Sequence, residues 1–91
     1  MSLQVVWTSQ FKKDYKQAIK RNLNIELLDN VIRLLAKDGT LPVEYKDHAL
    51  SNNWKGFREC HIASDWLLIY AIQNGTLTLT LSRTGTHSDL F

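Results

Sequence analysis

The sequence predicts an α+β fold: two N-terminal helices on one face of a small, mostly antiparallel, four-stranded sheet, in the order β-α-α-β-β-β. Three observations predict it. Apolar residues recur at helical spacing before Gly39. They alternate at strand spacing between Trp54 and Arg83, around an Asn-Gly pair. The 91 residues suffice for one hydrophobic core but not two, so residues 1–91 are read as a single domain.

Leu3 to Trp7 reads as a short first strand. Thr8 or Ser9 can cap the first helix by accepting a backbone N–H. Phe11, Tyr15, Ala18 and Ile19 then define its apolar face, and Lys12, Lys13, Lys16 and Lys20 fall on the other side. Asn22-Leu23-Asn24 breaks the helix, and either asparagine can cap the next one. There Leu27, Leu28, Val31, Leu34 and Leu35 form the expected buried stripe. Gly39 suits a C-terminal cap, and Pro42 prevents the helix from resuming.

Residues 42–53 show no period and read as a loop, the kind of segment on which functional groups are often mounted. Three strands follow, Trp54–Ile62, Trp66–Gln73 and Thr76–Arg83. Asn74-Gly75 signals a two-residue hairpin. That turn would set Ile72 against Leu77, Tyr70 against Leu79 and Leu68 against Leu81, one apolar face turned to the helices. The other face, with Leu67, Ile69 and Ala71 opposite Thr78, Thr80 and Ser82, is half polar and expected to be open. A three-residue loop, Ala63-Ser64-Asp65, would keep Cys60 and Ile62 on the core side. His61 then emerges on the open face, with Asp65 at its edge.

Composition narrows the class. Hydrophobic residues make up 44% and charged residues 22%, as in an ordinary globular domain. No apolar run approaches the roughly 20 residues that span a bilayer. Met1 to Val6 contains no basic residue and no long apolar stretch, so it does not read as a signal peptide. One cysteine, Cys60, cannot form an internal disulfide, which suits a reducing cytoplasm. The net charge is +2, unevenly spread: residues 1–46 hold eight Lys or Arg against five Asp or Glu, and residues 47–91 hold three against four. All three histidines lie in the second stretch.

His48 falls in the loop, His61 on the open face, and His87 after the last strand; none lies on a core stripe. Any one histidine alone reads best as a surface or hydrogen-bonded residue. Three on separate segments that can meet at one end of a sheet read as a site. Zinc usually takes four ligands at short paired spacings, and neither His-x-x-x-His nor Cys-x-x-Cys is present. Cys60 is expected to be buried and to point away from His61, so a shared ion or a cysteine nucleophile ranks low. Ser64, Ser82 and Ser88 lack a nucleophile elbow. RNA cleavage by the neighbouring 2′-hydroxyl demands less: a base, an acid and a cation on the phosphate. Histidine suits the proton steps. Arg83, four residues before His87, suits the phosphate, although an arginine there also reads as a salt-bridge partner. Lys12, Lys16 and Lys20 make a solvated face that could also contact phosphates. A non-catalytic module that binds RNA or a partner protein is the rival reading.

Four segments then carry a resemblance: Tyr45-Lys46-Asp47-His48-Ala49-Leu50, Trp54-Lys55-Gly56-Phe57-Arg58-Glu59-Cys60-His61-Ile62, Asp65-Trp66-Leu67-Leu68-Ile69-Tyr70, and Arg83-Thr84-Gly85-Thr86-His87-Ser88-Asp89-Leu90-Phe91. In order and spacing they resemble the YafQ branch of the RelE toxins. The resemblance implies a RelE-like fold and ribosome-dependent, cofactor-free endoribonuclease activity on messenger RNA. It also implies a cognate antitoxin that wraps the toxin and, in the complex, binds operator DNA. Carried over by position, His48, His61, Asp65 and His87 would be the acid–base set, and Arg83 would stabilise the scissile phosphate. Trp66 and Phe91 would position a base or shape the site. His87 is the expected general acid, with Asp65 or His61 assisting proton removal.

Overall fold

The computed structural model describes residues 2–91. The chain runs β1 (Gln4–Trp7), α1 (Ser9–Lys20), α2 (Ile25–Asp38), β2 (His48–Ala49), β3 (Arg58–Ala63), β4 (Trp66–Gln73), β5 (Thr78–Gly85) and α3 (His87–Leu90). Five strands form one sheet in the order β1-β5-β4-β3-β2. Only β1 against β5 is parallel; the other pairs are antiparallel. The α+β class holds, with one strand more than expected.

The caps act as the sequence suggests. Thr8 accepts from the Phe11 N–H, Asn24 accepts from the Glu26 N–H, and Gly39 ends α2 in the left-handed region at φ 74°. Phe11 and Ala18 on α1 and Leu28, Val31, Ile32 and Leu35 on α2 are buried against Cys60, Leu68, Tyr70, Leu79 and Leu81. Three apolar assignments shift. Leu34 is only partly buried and stands outside the core cluster. Ile19 and Leu27 are exposed, and Ile32 takes the expected place of Leu27 in the core. The buried stripe on α2 is therefore rotated towards its 28/32/35 ridge. No helix among the described residues is long and apolar enough to cross a membrane.

The hairpin register differs from expectation by two residues. Gln73 pairs with Thr78, Ile72 with Leu79 and Tyr70 with Leu81. The connection is a tight 3₁₀ turn over Asn74–Thr76, followed by Leu77 at φ 50°. Gly75 does not use its freedom to take positive φ, so the expected two-residue turn does not form. A slip of two preserves the faces, which is why the core assignment survives the error. Leu77 is instead a branched residue in the left-handed region and is 41% exposed. Leu77→Gly should relieve that strain, worth about 1 kcal/mol, but gives up a partly covered side chain and loosens the unfolded chain, so the denaturant midpoint should not rise.

Two bulges complete the correction. Ile69 pairs with Arg83 while Tyr70 pairs with Leu81, so Ser82 is extra and Leu68 faces Thr84 rather than Leu81. His61 pairs with Leu67 while Ala63 pairs with Trp66, which leaves Ser64-Asp65 as a two-residue turn with Ile62 as the bulge. The second sheet face is not open either. Leu67 and Ile69 are buried beneath Leu90, with Leu50, Trp54 and Phe57 packed alongside. Leu50 comes from the segment without a sequence period, whereas Trp54 and Phe57 come from the expected strand Trp54–Ile62, which begins only at Arg58 and so leaves them free to fold over this face.

Candidate active site

The site grows from that covered face. Asp47 is gripped by Arg58 through Nε and Nη2 at 3.1–3.2 Å and by the hydroxyl of buried Tyr70. Burial, then the Asp47 carboxylate, pushes the Tyr70 hydroxyl well above its ordinary range, so it stays a donor. This anchor fixes the residue before His48, and two-residue β2 pairs His48 with Glu59. His48 Nε2 lies 3.2 Å from Glu59 Oε1, and Glu59 is only 5% exposed. His61, two residues along β3, projects on the same face as Glu59. Ligating atoms of His48, Glu59 and His61 all lie within 4.8 Å of one another.

A second group forms at the same end of the sheet. Register carries His61 to Leu67 and Leu67 to Gly85, so the His61 and Gly85 backbones stand two strand spacings apart, about 10 Å. Two residues beyond Gly85, His87 opens α3, whose N-terminus is held by a Thr86–Asp89 capping box. Asp65, in the β3–β4 turn, accepts the His87 backbone N–H at 3.0 Å. The His87 ring packs 5.1 Å from that of Phe91, which is 55% exposed. Leu90 sinks into the second-face cluster and holds α3 down.

The remaining expected residues are placed as follows. Trp66 is 4% exposed, and its indole N–H donates to Thr84 Oγ1 at 3.0 Å. From there it can shape the site but offers no face to a base. Arg83 is paired with Asp14 of α1, Nε to Oδ2 at 2.8 Å. That hydrogen bond raises the guanidinium above its ordinary value, against partial burial. The two lie beside a cavity of about 190 Å³ also lined by Arg21 and Asp89. Lys12, Lys16 and Lys20 are exposed along α1 and join no ion pair among the described residues. Cys60 is buried, and burial pushes its thiol far up, which removes it as a nucleophile.

Sequence reasoning missed three carboxylates, Glu59, Asp47 and Asp14. Glu59 could have been found, since it alternates with His61 on one strand. Asp47 could not, because its role depends on Tyr70, which is 23 residues away. The spacing test for metal ligands also missed that cross-strand pairing gathers His48, Glu59 and His61. Three such ligands can hold a divalent cation with a position left open.

Arg21 donates to Asp89 at 2.6 Å and ties α3 to the end of α1. That bond, with the Thr86 N–H, holds the Asp89 carboxyl well below its ordinary 3.8. A depressed folded-state pKa gives stability that is present above 3.8 and lost as pH falls through the folded value. Asp89→Asn should thus lower the thermal midpoint at neutral pH, and the difference should close in strong acid. Paired melting curves across pH check this.

Residues 3–91 match the family described as bacterial toxin of type II toxin–antitoxin system, YafQ. Over 88 residues the chain is 41% identical to the mRNA interferase toxin YafQ of Escherichia coli strain B (BL21-DE3), covering 96% of this chain and 94% of that protein. A chain of the E. coli DinJ–YafQ toxin–antitoxin complex superposes with a TM-score of 0.90 at 38% identity, covering 100% of this chain and 99% of that one. A metal-bound toxin from Helicobacter pylori gives 0.89 at 42% identity, covering 98% and 99%.

Proposed function

The chain belongs to the YafQ family of bacterial type II toxin–antitoxin toxins, and from that premise we propose that it is an mRNA interferase. It cuts messenger RNA on the ribosome by attack of the 2′-hydroxyl on the adjacent phosphate, and a cognate antitoxin silences it in the cytoplasm. The observation that supports this reading is the clustering of His48, Glu59 and His61 on β2 and β3, with the Asp65–His87 pair following at the neighbouring strand ends.

His61, backed by Glu59 and His48, takes the 2′ proton. The oxygen attacks phosphorus, and charge builds on the non-bridging oxygens, where Arg83 stabilises it. His87 protonates the departing 5′ oxygen. Asp65 acts on the His87 backbone and so sets where α3 begins. The exposed lysines of α1 contact ribosomal or messenger phosphates.

A second reading places a divalent cation on His48, Glu59 and His61, favoured by their 4.8 Å clustering and by the metal-bound H. pylori relative. One experiment separates the two. Cleavage of a transcript is mapped with and without ribosomes, with a zinc-selective chelator that spares magnesium. Ribosome-dependent cuts that persist in the chelator support the acid–base reading. Cuts abolished by it and restored by zinc support the metal. Induced expression that arrests growth, reversed by antitoxin, separates either from a non-catalytic binder.

A further inference from the structure

We propose that Asp14, on α1, is a positioning residue that presents the phosphate-binding edge of Arg83, an inference that rests on the role given to Arg83 above. β1 stops pairing with β5 at Leu81, which leaves the β5 edge open over residues 82–85. Thr8 and Asp14 close it. The Thr8 hydroxyl donates to the Leu81 carbonyl at 2.9 Å, and Asp14 Oδ2 accepts the Thr84 N–H at 3.1 Å. The same Oδ2 accepts Arg83 Nε–H at 2.8 Å, while Oδ1 accepts Arg83 Nη2–H at 3.3 Å and an amide hydrogen of Gln10 at 3.1 Å. The Asp14 side chain is 10% exposed, so four donors hold a nearly buried carboxylate in place.

The geometry fixes which part of Arg83 is left over. Asp14 occupies the Nε–Nη2 edge, and the Nη1–Nη2 edge stays available as a second fork. The Arg83 side chain is 27% exposed, and its hydrogen bonds to Asp14 use Nε and Nη2, not Nη1. A freely rotating arginine at the end of a strand would spend most of its time off target. One locked by a carboxylate already bonded to its own backbone neighbour is aimed before the substrate arrives. The Ser82 bulge belongs to this arrangement, because it resets β5 just before Arg83.

The test compares Asp14→Asn, Arg83→Ala and the double variant in cleavage of ribosome-bound message, with kcat and KM measured separately. Asp14→Asn should lower kcat about 10- to 100-fold with little change in KM, and should add nothing once Arg83 is alanine. Full activity of Asp14→Asn overturns the inference, as does a loss that multiplies with that of Arg83→Ala. If Arg83→Ala cuts as well as the parent chain, the phosphate role of Arg83 fails first and takes this inference with it. If Asp14→Asn does not fold, nitrogen NMR on the unaltered chain decides. A protected Arg83 Nε–H with slow guanidinium rotation supports the lock, and a rapidly exchanging, freely rotating one overturns it.

Discussion

His87→Ala should lower the cleavage rate at least about 100-fold, the usual contribution of a positioned general acid. The fold should not notice. The His87 side chain is exposed, its backbone N–H keeps Asp65, and α3 remains pinned by Leu90 and the capping box. Antitoxin binding and the thermal midpoint should therefore match the parent chain, checked by complex formation and melting alongside the rate. A fully active His87→Ala protein would remove the acid from the mechanism. Phe91 packs against the same ring, so its loss should have a smaller effect of the same kind, by freeing the imidazole to wander.

Glu59→Gln should be nearly as damaging, about 100-fold or more in rate. The change keeps the shape and an oxygen to accept from His48, so the buried site stays filled. What it removes is the negative charge behind His48 and His61, the latter being the proposed acceptor of the 2′ proton. Rate and stability should separate: activity falls while the unfolding midpoint stays close to that of the parent. A Glu59→Gln chain that loses stability in step with activity would reduce Glu59 to a structural partner of His48.

The sequence made the fold class readable because the two helical stripes and the alternating strands depend on neighbours close in the chain. Phe11, Ala18, Leu28, Val31 and Leu35 could be assigned from period alone. Period could not place Ile32 over Leu27, since the rotation of α2 is decided by the sheet beneath it. The hairpin failed for a local reason: Asn74-Gly75 favours one turn, but a longer loop with Leu77 in the left-handed region won, and no rule of composition chooses a branched residue there. Residues 42–53 read as loop because their apolar members lack a period, and Trp54–Phe57 read as the start of a strand that in fact begins at Arg58. They nonetheless supply β2, the Asp47 anchor and the lid over Leu67 and Ile69. All of these are set by contacts distant in sequence.

The site divides along the same line. The histidines, Asp65 and Arg83 were legible as candidates by residue type and by falling off the core stripes. Their supports were not. Glu59, Asp47 and Asp14 are carboxylates whose partners lie 11, 23 and 69 residues away. Trp66 and Phe91 entered through resemblance, and the structure separates them: one is sealed beside Thr84, the other is exposed beside His87.

The most direct test of the mechanism is the chemistry of the cut ends. Attack by the 2′-hydroxyl with proton transfer through His61 and His87 leaves a 2′,3′-cyclic phosphate upstream and a 5′-hydroxyl downstream. A 2′-deoxy nucleotide at the scissile position should stop the reaction. A 3′-hydroxyl facing a 5′-phosphate, or unchanged cleavage at the deoxy position, would mean that water rather than the RNA's own hydroxyl is the nucleophile, and would contradict the account.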